Sequence, residues 1–312
     1  MADMSWAPLR LGSWPTPVEP MPRLGAAIGL GPDDLWIKRD DLTGLGAGGN
    51  KVRKLEYLCG QAAALGATAL ITSGAAQSNH ARITAAAAAR MGVKCTLVLW
   101  GSAPSAMEGN HLLDVLAGAE LVWAGDEPMD AVISRTSDQL REQGEAPFVV
   151  PYGGSSPDSA RGYIDCATEL LDQLPGFDRV VVAVGSGGTM AGLVAGLGPE
   201  RVVGVDTGAV ADAGATVTGL LAAMPGAPSG ELRILGEYVG EGYSTIGPAT
   251  RAALETTART EGIFLDPIYT GRAMAGLLGQ VESGAIAAGT KTVFLHTGGL
   301  PGLLARTDVL SL

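Results

Sequence analysis

The sequence predicts an α/β protein of two domains whose sheets are mainly parallel. Short runs of β-branched residues alternate with stretches rich in alanine and leucine, which is the order expected of successive βα units. Several strand candidates, such as 180–184, are apolar at every position, which is typical of central parallel strands buried on both faces. At roughly 100 to 200 residues per domain, the chain of 312 residues favours two domains.

The alternation assigns most of the chain to elements. The strand candidates are Leu35–Lys38, Ala69–Thr72, Cys95–Trp100, Glu120–Trp123, Pro147–Pro151, Arg179–Val184, Arg201–Val205 and Thr292–His296. The helix candidates are Lys51–Leu65, Ser78–Met91, Ala106–Ala117, Pro128–Gln143, Ser159–Leu174, Met190–Leu197, Thr245–Glu261 and Arg272–Ser283. A turn-rich break covers 151–157, and the stretch 206–240 has no interpreted pattern.

Composition excludes several classes of protein. The chain has 21 Lys and Arg against 32 Asp and Glu, and a net charge of −11 argues against a nucleic-acid partner. No apolar run approaches the ~18 to 20 residues of a membrane span, and the first residues lack a signal-peptide pattern. The three cysteines are widely spaced and predict neither a disulfide framework nor a metal site. We therefore expect a cytoplasmic protein without a membrane partner or bound metal.

A glycine-rich loop follows strand candidate 179–184 and reads Gly185-Ser186-Gly187-Gly188-Thr189. Its glycines and the start of the next helix can present backbone N–H groups to a phosphate. A dinucleotide fingerprint needs a third glycine where Met190 stands, and the nearest match to a Walker loop, 44–51, departs from that motif on both sides of its lysine. The loop predicts a site for one phosphate, and an ordinary glycine-rich turn stays the alternative.

A second glycine-rich loop, after strand candidate 35–38, ends at Lys51, where a helix begins. The helix dipole disfavours a cation at this end and lowers the pKa of the amine. A lysine with a lowered pKa is a better nucleophile and can form a Schiff base. A surface lysine on the first helical turn is the simpler interpretation.

Five motifs together resemble one enzyme family. Residues 49–58, Gly-Asn-Lys-Val-Arg-Lys-Leu-Glu-Tyr-Leu, are similar to the lysine motif of the pyridoxal-phosphate (PLP) enzymes that include 1-aminocyclopropane-1-carboxylate (ACC) deaminase and D-cysteine desulfhydrase. Gln77-Ser78-Asn79-His80, the phosphate loop, 266–274 and His296-Thr297-Gly298-Gly299 follow in the family's order. The resemblance implies the tryptophan-synthase-β-like fold, fold type II, and a homodimer. It also implies a large domain from 1–51 and 158–312, with 52–157 inserted as a smaller domain.

The resemblance implies a role for each motif residue. Lys51 would form the Schiff base with the cofactor and then take the α-proton of a small amino-acid substrate. The implied catalytic residues are Lys51, Ser78, Tyr243 and Tyr269. The implied cofactor-binding residues are Asn50, Lys51, Lys54, Asn79, Gly185, Ser186, Gly187, Gly188, Thr189, Thr270 and Thr297. The implied substrate-binding residues are Gln77, Ser78, Asn79 and His80.

Three positions distinguish the two enzyme types within the resemblance. Thr270 stands where ACC deaminases have a glutamate facing the pyridine nitrogen of the cofactor. Thr297 stands where they tend to have leucine, and His80 where they usually have glutamine. All three follow the desulfhydrase pattern and predict a β-eliminating carbon–sulfur lyase that converts D-cysteine into pyruvate, hydrogen sulfide and ammonia.

Other interpretations stay open. L-cysteate sulfo-lyase shares nearly all these motifs, and ACC deaminase uses the same fold. A nucleotide-binding sensor domain could use the phosphate loop alone. Taken singly, Ser78 and Asn79 are ordinary helix caps, and the two tyrosines are half-buried packing residues.

Overall fold

The computed structural model describes residues 6–309, which form two sheets surrounded by helices. The described residues contain ten strands: β1 (Val18–Pro20), β2 (Leu35–Lys38), β3 (Ala69–Gly74), β4 (Lys94–Leu99), β5 (Glu120–Trp123), β6 (Pro147–Val149), β7 (Arg179–Val184), β8 (Val202–Asp206), β9 (Arg233–Leu235) and β10 (Thr292–Leu295). They also contain eleven α-helices: α1 (Pro22–Ala27), α2 (Lys51–Ala64), α3 (Asn79–Met91), α4 (Gly109–Leu116), α5 (Met129–Glu142), α6 (Pro157–Gln173), α7 (Gly188–Leu197), α8 (Ala213–Ala222), α9 (Pro248–Glu261), α10 (Thr270–Glu282) and α11 (Leu300–Leu304).

Both sheets are mainly parallel, as predicted. The larger sheet has the order β1-β2-β10-β7-β8-β9, and only the β1–β2 pair is antiparallel. The smaller sheet has the order β5-β4-β3-β6, with every pair parallel. Its strands all lie within 69–149, and those of the larger sheet lie outside that range. The domain boundaries at 51/52 and 157/158 stay a prediction.

All eight predicted strands and all eight predicted helices are present, with ends displaced by at most three residues. The sequence prediction lacked two short edge strands, β1 and β9, and the helices α1, α8 and α11. Each missed strand has three residues, too few to show an alternating pattern. Helix α8 lies in the uninterpreted stretch 206–240 and begins where the side chain of Asp212 caps the N–H of Ala215.

Strand β7 shows why an apolar run becomes a central strand. Val180, Val182 and Val184 pack into one core cluster, with α6 and α7. Val181 and Ala183 pack into the other cluster, with α10. Alternate side chains of a strand point to opposite faces, so each face of the sheet buries its own valines. Full burial of such a side chain stabilises the fold by roughly 1.5 to 3 kcal/mol.

Parallel strands direct their following loops to one edge. The loops after β2 and β10, neighbours in the larger sheet, hydrogen-bond to each other, because Asn50 N–H donates to Thr297 O at 3.0 Å. The glycine loop 185–189 follows β7, the next strand. Ligands of open parallel sheets bind at this edge. Within residues 6–309, no helix combines the length and apolar character that crossing a membrane requires.

Candidate active site

One cleft collects most of the residues that the sequence singled out. Eleven of the sixteen predicted site residues line it: Asn50, Lys51, Ser78, Asn79, His80, Gly185, Ser186, Gly187, Thr189, Tyr269 and Thr297. Five do not line it: Lys54, Gln77, Gly188, Tyr243 and Thr270. The lining also includes residues that sequence reasoning missed: Tyr152, Gly153, Ala183, Met190, Ala209 and Gly298.

Lys51 is the first residue of α2, and its amine reaches into the cleft. Its Nζ donates to Gly153 O at 3.1 Å. Burial lowers the pKa of Lys51 to about 8. The sequence also predicted a lowered pKa for Lys51, but from the helix dipole, whereas burial lowers it in the structure. A substantial share of this amine is neutral near physiological pH, as a nucleophile requires.

This lowered pKa predicts how the protein combines with PLP. The rate at which cofactor-free protein binds the aldehyde should rise about tenfold per pH unit and level off near pH 8, because only the neutral amine attacks. Stopped-flow absorbance measures that rate. An N-blocked lysine in solution, with a pKa of roughly 10.4, is the control and keeps rising to about pH 10. A protein rate that follows the control would contradict the lowered pKa of Lys51.

Lys54 lies one helical turn after Lys51 and supports the phosphate loop from behind. Its Nζ donates to Gly153 O and to Ser155 Oγ, each at 2.8 Å. Ser155 Oγ in turn lies 2.8 Å from Ser186 Oγ and accepts from Gly188 N–H at 3.3 Å. Lys54 therefore contacts the loop through Ser155 rather than lining the cleft.

Lys54 is buried and Lys51 is half-buried, and neither has a compensating anion among the described residues. In the described part of the chain, neither Lys51 nor Lys54 forms an ion pair. Burial and the charge of Lys51 hold the pKa of Lys54 well below its usual value. Buried charges are normally paired. A ligand with an aldehyde and a phosphate fits these residues, because the aldehyde consumes one amine and the phosphate supplies negative charge.

The glycine loop has the geometry of an anion site. Gly187 has φ of +79° and caps α7, whose first N–H groups have no intrahelical partner. A Cβ at Gly188 would lie 2.7 Å from Ser155 Oγ, so a side chain there would displace the link to Lys54. Thr189 Oγ1 accepts from Asn50 Nδ2 at 3.0 Å, which joins the phosphate loop to the lysine loop.

The turn before α3 combines a helix cap with a wall of the cleft. Ser78 is the N-cap, and its Oγ accepts from Ala81 N–H at 3.2 Å. Ser78 therefore caps the helix and also lines the cleft. Gln77 does not line the cleft, because its side-chain amide donates to Glu108 O at 3.1 Å and accepts from Asn110 N–H at 2.9 Å.

His80 is a neutral imidazole with a defined tautomer. Thr72 Oγ1 donates to Val150 O at 2.9 Å and therefore accepts from His80 Nε2, 2.8 Å away. Nδ1 is then unprotonated, and it has no partner among the described residues. Burial, with smaller contributions from Lys51 and Lys54, holds the pKa of His80 well below its usual value.

The two predicted tyrosines form a hydrogen-bonded pair, of which only Tyr269 lines the cleft. Burial raises the pKa of both phenols, so both hold their protons at neutral pH. Arg272, which sequence reasoning did not single out as a site residue, donates to Gly242 O at 2.7 Å and to Tyr243 O at 3.0 Å. This guanidinium anchors the loop that carries Tyr243.

Thr270 does not line the cleft, and its contact with a ring nitrogen stays a prediction. Its Oγ1 donates to Asp266 Oδ1 at 2.7 Å and accepts from Asp266 N–H at 2.8 Å. The Asp266 carboxylate also caps the N–H groups of Ile268 and Tyr269 at the start of α10. The hydroxyl that the sequence argument treated as available belongs to this cap. Thr297 does line the cleft, and none of the lining residues that the structure describes is Asp or Glu.

Tyr152 and Gly153 lie in the segment that the sequence marked only as a break between domains. Gly153 has φ of +61°, and a Cβ there would lie 2.1 Å from Ser186 Oγ. The ring of Tyr152 packs against that of Trp100, with 5.7 Å between the ring centroids. The adjacent glycines Gly153 and Gly154 were the sequence signal that could have placed this segment at the site, because such pairs often mark a close approach of the backbone to another group.

Comparisons with known proteins agree with this geometry. A family model described as pyridoxal-phosphate dependent enzyme matches residues 9–298. D-cysteine desulfhydrase from Salmonella schwarzengrund is 39% identical over 316 residues, covering 95% of each chain. A Pyrococcus furiosus protein named provisionally as a 1-aminocyclopropane-1-carboxylate deaminase is 38% identical over 311 residues, covering 95% of this chain and 92% of that protein.

Solved structures support the same fold. An ACC deaminase homologue superposes with a TM-score of 0.90 at 36% identity, over 98% of this chain and 97% of that chain. Threonine deaminase isoform 2 from Solanum lycopersicum has a TM-score of 0.64 at 18% identity, which shows the fold alone. The chain therefore belongs to the pyridoxal-phosphate dependent enzymes of fold type II, in the group of lyases that includes ACC deaminases and D-cysteine desulfhydrases.

Proposed function

We propose that the protein catalyses β-elimination from D-cysteine, with pyruvate, hydrogen sulfide and ammonia as products. The observation that carries this proposal is that no described residue of the cleft lining is a carboxylate, while Thr297 lines it. The desulfhydrase relative at 39% identity supports it.

Residues of the cleft suit PLP at each of its functional groups. Lys51 would hold the aldehyde, the loop 185–189 the phosphate, and Asn79 and Thr297 the ring. When bound, PLP links to an amine and withdraws electron density from the α-carbon. Cysteine has an α-proton, and the neutral amine of Lys51 is the base that takes it.

Two other groups would orient the substrate. Ser78 and the N–H groups at the start of α3 would hold its carboxylate at a helix N-terminus. The hydroxyl of Tyr269, protonated at neutral pH, would donate a hydrogen bond to the departing thiolate. Tyr243 lies in hydrogen-bond contact behind it and would hold that hydroxyl in place.

The missing carboxylate favours thiol elimination over cyclopropane opening. ACC has no α-hydrogen and no departing group at its β-carbon, so its ring opening depends strongly on an electron sink. A carboxylate beside the ring nitrogen would keep that nitrogen protonated and strengthen the sink. Elimination of a thiolate needs a weaker electron sink, because the departing sulfur takes the electron pair with it. A hydroxyl such as that of Thr297 can hydrogen-bond the nitrogen without forcing protonation.

A substrate panel tests the proposal directly. Release of 2-oxo acid is measured for D-cysteine, L-cysteine, L-cysteate, D-serine and ACC. We expect kcat/KM for D-cysteine to exceed that for each other compound by about 10²-fold, because a site selects by several specific contacts. PLP-free protein with the same substrates is the control.

Each other outcome assigns a different activity. Turnover of ACC alone would overturn the argument from the missing carboxylate. Preference for L-cysteate would identify a sulfo-lyase, and protein that never turns yellow with PLP would contradict the cofactor site. We also propose a cytoplasmic homodimer, which light scattering and fractionation would check.

A further inference from the structure

Two buried residues outside the cleft hold the amide of Asn79, which lines it. Asn79 Oδ1 accepts from Arg82 NH1 at 3.3 Å and from Asn110 Nδ2 at 3.1 Å. Arg82 is 1% exposed and Asn110 0%. A guanidinium can only donate, so the oxygen of the Asn79 amide faces Arg82. Its NH2 group is the part left to face the cleft.

Asn110, at the start of α4, is itself held in one orientation. Its Oδ1 accepts from Arg82 NH1 at 2.9 Å, and its Nδ2 donates to the backbone oxygen of Gln77 at 2.9 Å. Rotating the amide would place donor against donor at Arg82 and acceptor against acceptor at Gln77. The orientations of Asn79 and Asn110 are therefore linked through one guanidinium.

The same guanidinium reaches the loop that leads to Lys51. Arg82 NH2 donates to Gly48 O at 2.7 Å. Burial lowers the pKa of Arg82 to about 10, with Asp114 acting in the opposite direction, so Arg82 stays a cation at neutral pH. One charged side chain thus connects α3, the start of α4 and the lysine loop.

We propose that Arg82 and Asn110 are positioning residues that fix Asn79 as a hydrogen-bond donor to the ring oxygen of PLP beside its aldehyde carbon. Donation to that oxygen withdraws negative charge from beside the Lys51–cofactor linkage, so the linkage nitrogen holds its proton less tightly. The arrangement concerns the cofactor and is the same whichever amino acid is the substrate.

The test measures the linkage rather than turnover. Holoenzyme carrying Asn110→Ala or Arg82→Lys is titrated by absorbance, and the dissociation constant of PLP is measured by equilibrium dialysis. We expect the pH midpoint of the absorbance change to rise by about one unit, and PLP to bind about tenfold more weakly, as for one charge-assisted hydrogen bond. Arg90→Met is the matched control on α3, because Arg90 NH1 donates to Leu11 O at 3.0 Å, outside the cleft.

A double-mutant cycle separates positioning from a merely structural role. In an Asn79→Ala background, Asn110→Ala should produce no further shift of the midpoint. A shift of equal size in that background would overturn the proposal, and so would an unchanged midpoint for Asn110→Ala in the wild-type background. If Arg82→Lys does not fold, the Asn110→Ala cycle decides alone.

Discussion

Replacing Lys51 with alanine should remove the yellow absorbance of the holoenzyme and lower kcat by at least about 10⁴-fold. The side chain has two tasks in the proposed mechanism, since it links to the cofactor and then takes the α-proton. No other amine lines the cleft among the described residues. Absorbance after incubation with PLP, followed by borohydride reduction and mass measurement, checks the linkage, and 2-oxo acid release checks turnover.

Lys94→Ala is the control for this variant. Lys94 is exposed, pairs with Glu145 at 2.7 Å and lies outside the cleft, so its loss should leave both readouts unchanged. A Lys51→Ala protein that kept its absorbance and its turnover would show that another amine carries the linkage. The assignment of Lys51 would then be wrong, while membership of the family would stand.

Replacing Asp40 with asparagine should lower the free energy of unfolding by about 3 to 5 kcal/mol. Asp40 is fully buried and accepts from Arg53 Nε at 2.8 Å, Arg53 NH2 at 2.9 Å, Thr16 Oγ1 at 2.8 Å and Tyr163 OH at 2.7 Å. Arg53 lies in the first turn of α2, so the carboxylate also holds the helix that carries Lys51. Urea unfolding measures the change.

Asp138→Asn is the matched control for stability. Its ion pair with Arg141 joins side chains that are 63% and 58% exposed, and pairs of that kind contribute less than about 1 kcal/mol. A loss for Asp40→Asn no larger than the loss for Asp138→Asn would contradict a stabilising role for the buried cluster.

The pH dependence of stability has a definite sign at Asp40. Burial alone would raise the pKa of Asp40, but Arg53, Tyr163 and Lys38 hold it below its ordinary value of 3.8. A group with a lowered folded pKa stabilises the fold above its unfolded pKa, and that stability disappears as the pH falls toward the folded value. The acid-side loss of stability should therefore be smaller in Asp40→Asn than in the wild type.

Much of the fold and part of the site could be predicted from local pattern. The apolar run of β7 indicated a strand buried on both faces, because only such a strand has no polar face to expose. The loop that follows it indicated an anion site, because glycines and a helix start expose N–H groups. The position of Lys51 at a helix start indicated a lowered pKa but left a surface lysine as the simpler interpretation, and the resemblance then implied its role.

Prediction was weaker where a side chain had more than one available partner. The hydroxyl of Thr270 joins the cap that Asp266 builds at the start of α10, a partner that the sequence analysis did not consider, and its role toward the cofactor stays a prediction. Tyr152 lies in a segment whose turn-forming residues marked only a break. The contact between Thr270 and Asp266 is local, four residues apart, whereas the position of Tyr152 at the cleft does not follow from its neighbours in sequence.

By itself the sequence determined the α/β class, the order of the elements, the glycine loop and the lysine that begins α2, because these depend on residue type and local spacing. Only the tertiary structure decided which side chains face the cleft and which are held behind it. Arg82 shows the physical reason, since its partners Gly48, Asn79 and Asn110 come from three segments. Hydrogen bonds between segments distant in sequence form only when the sheets bring those segments together.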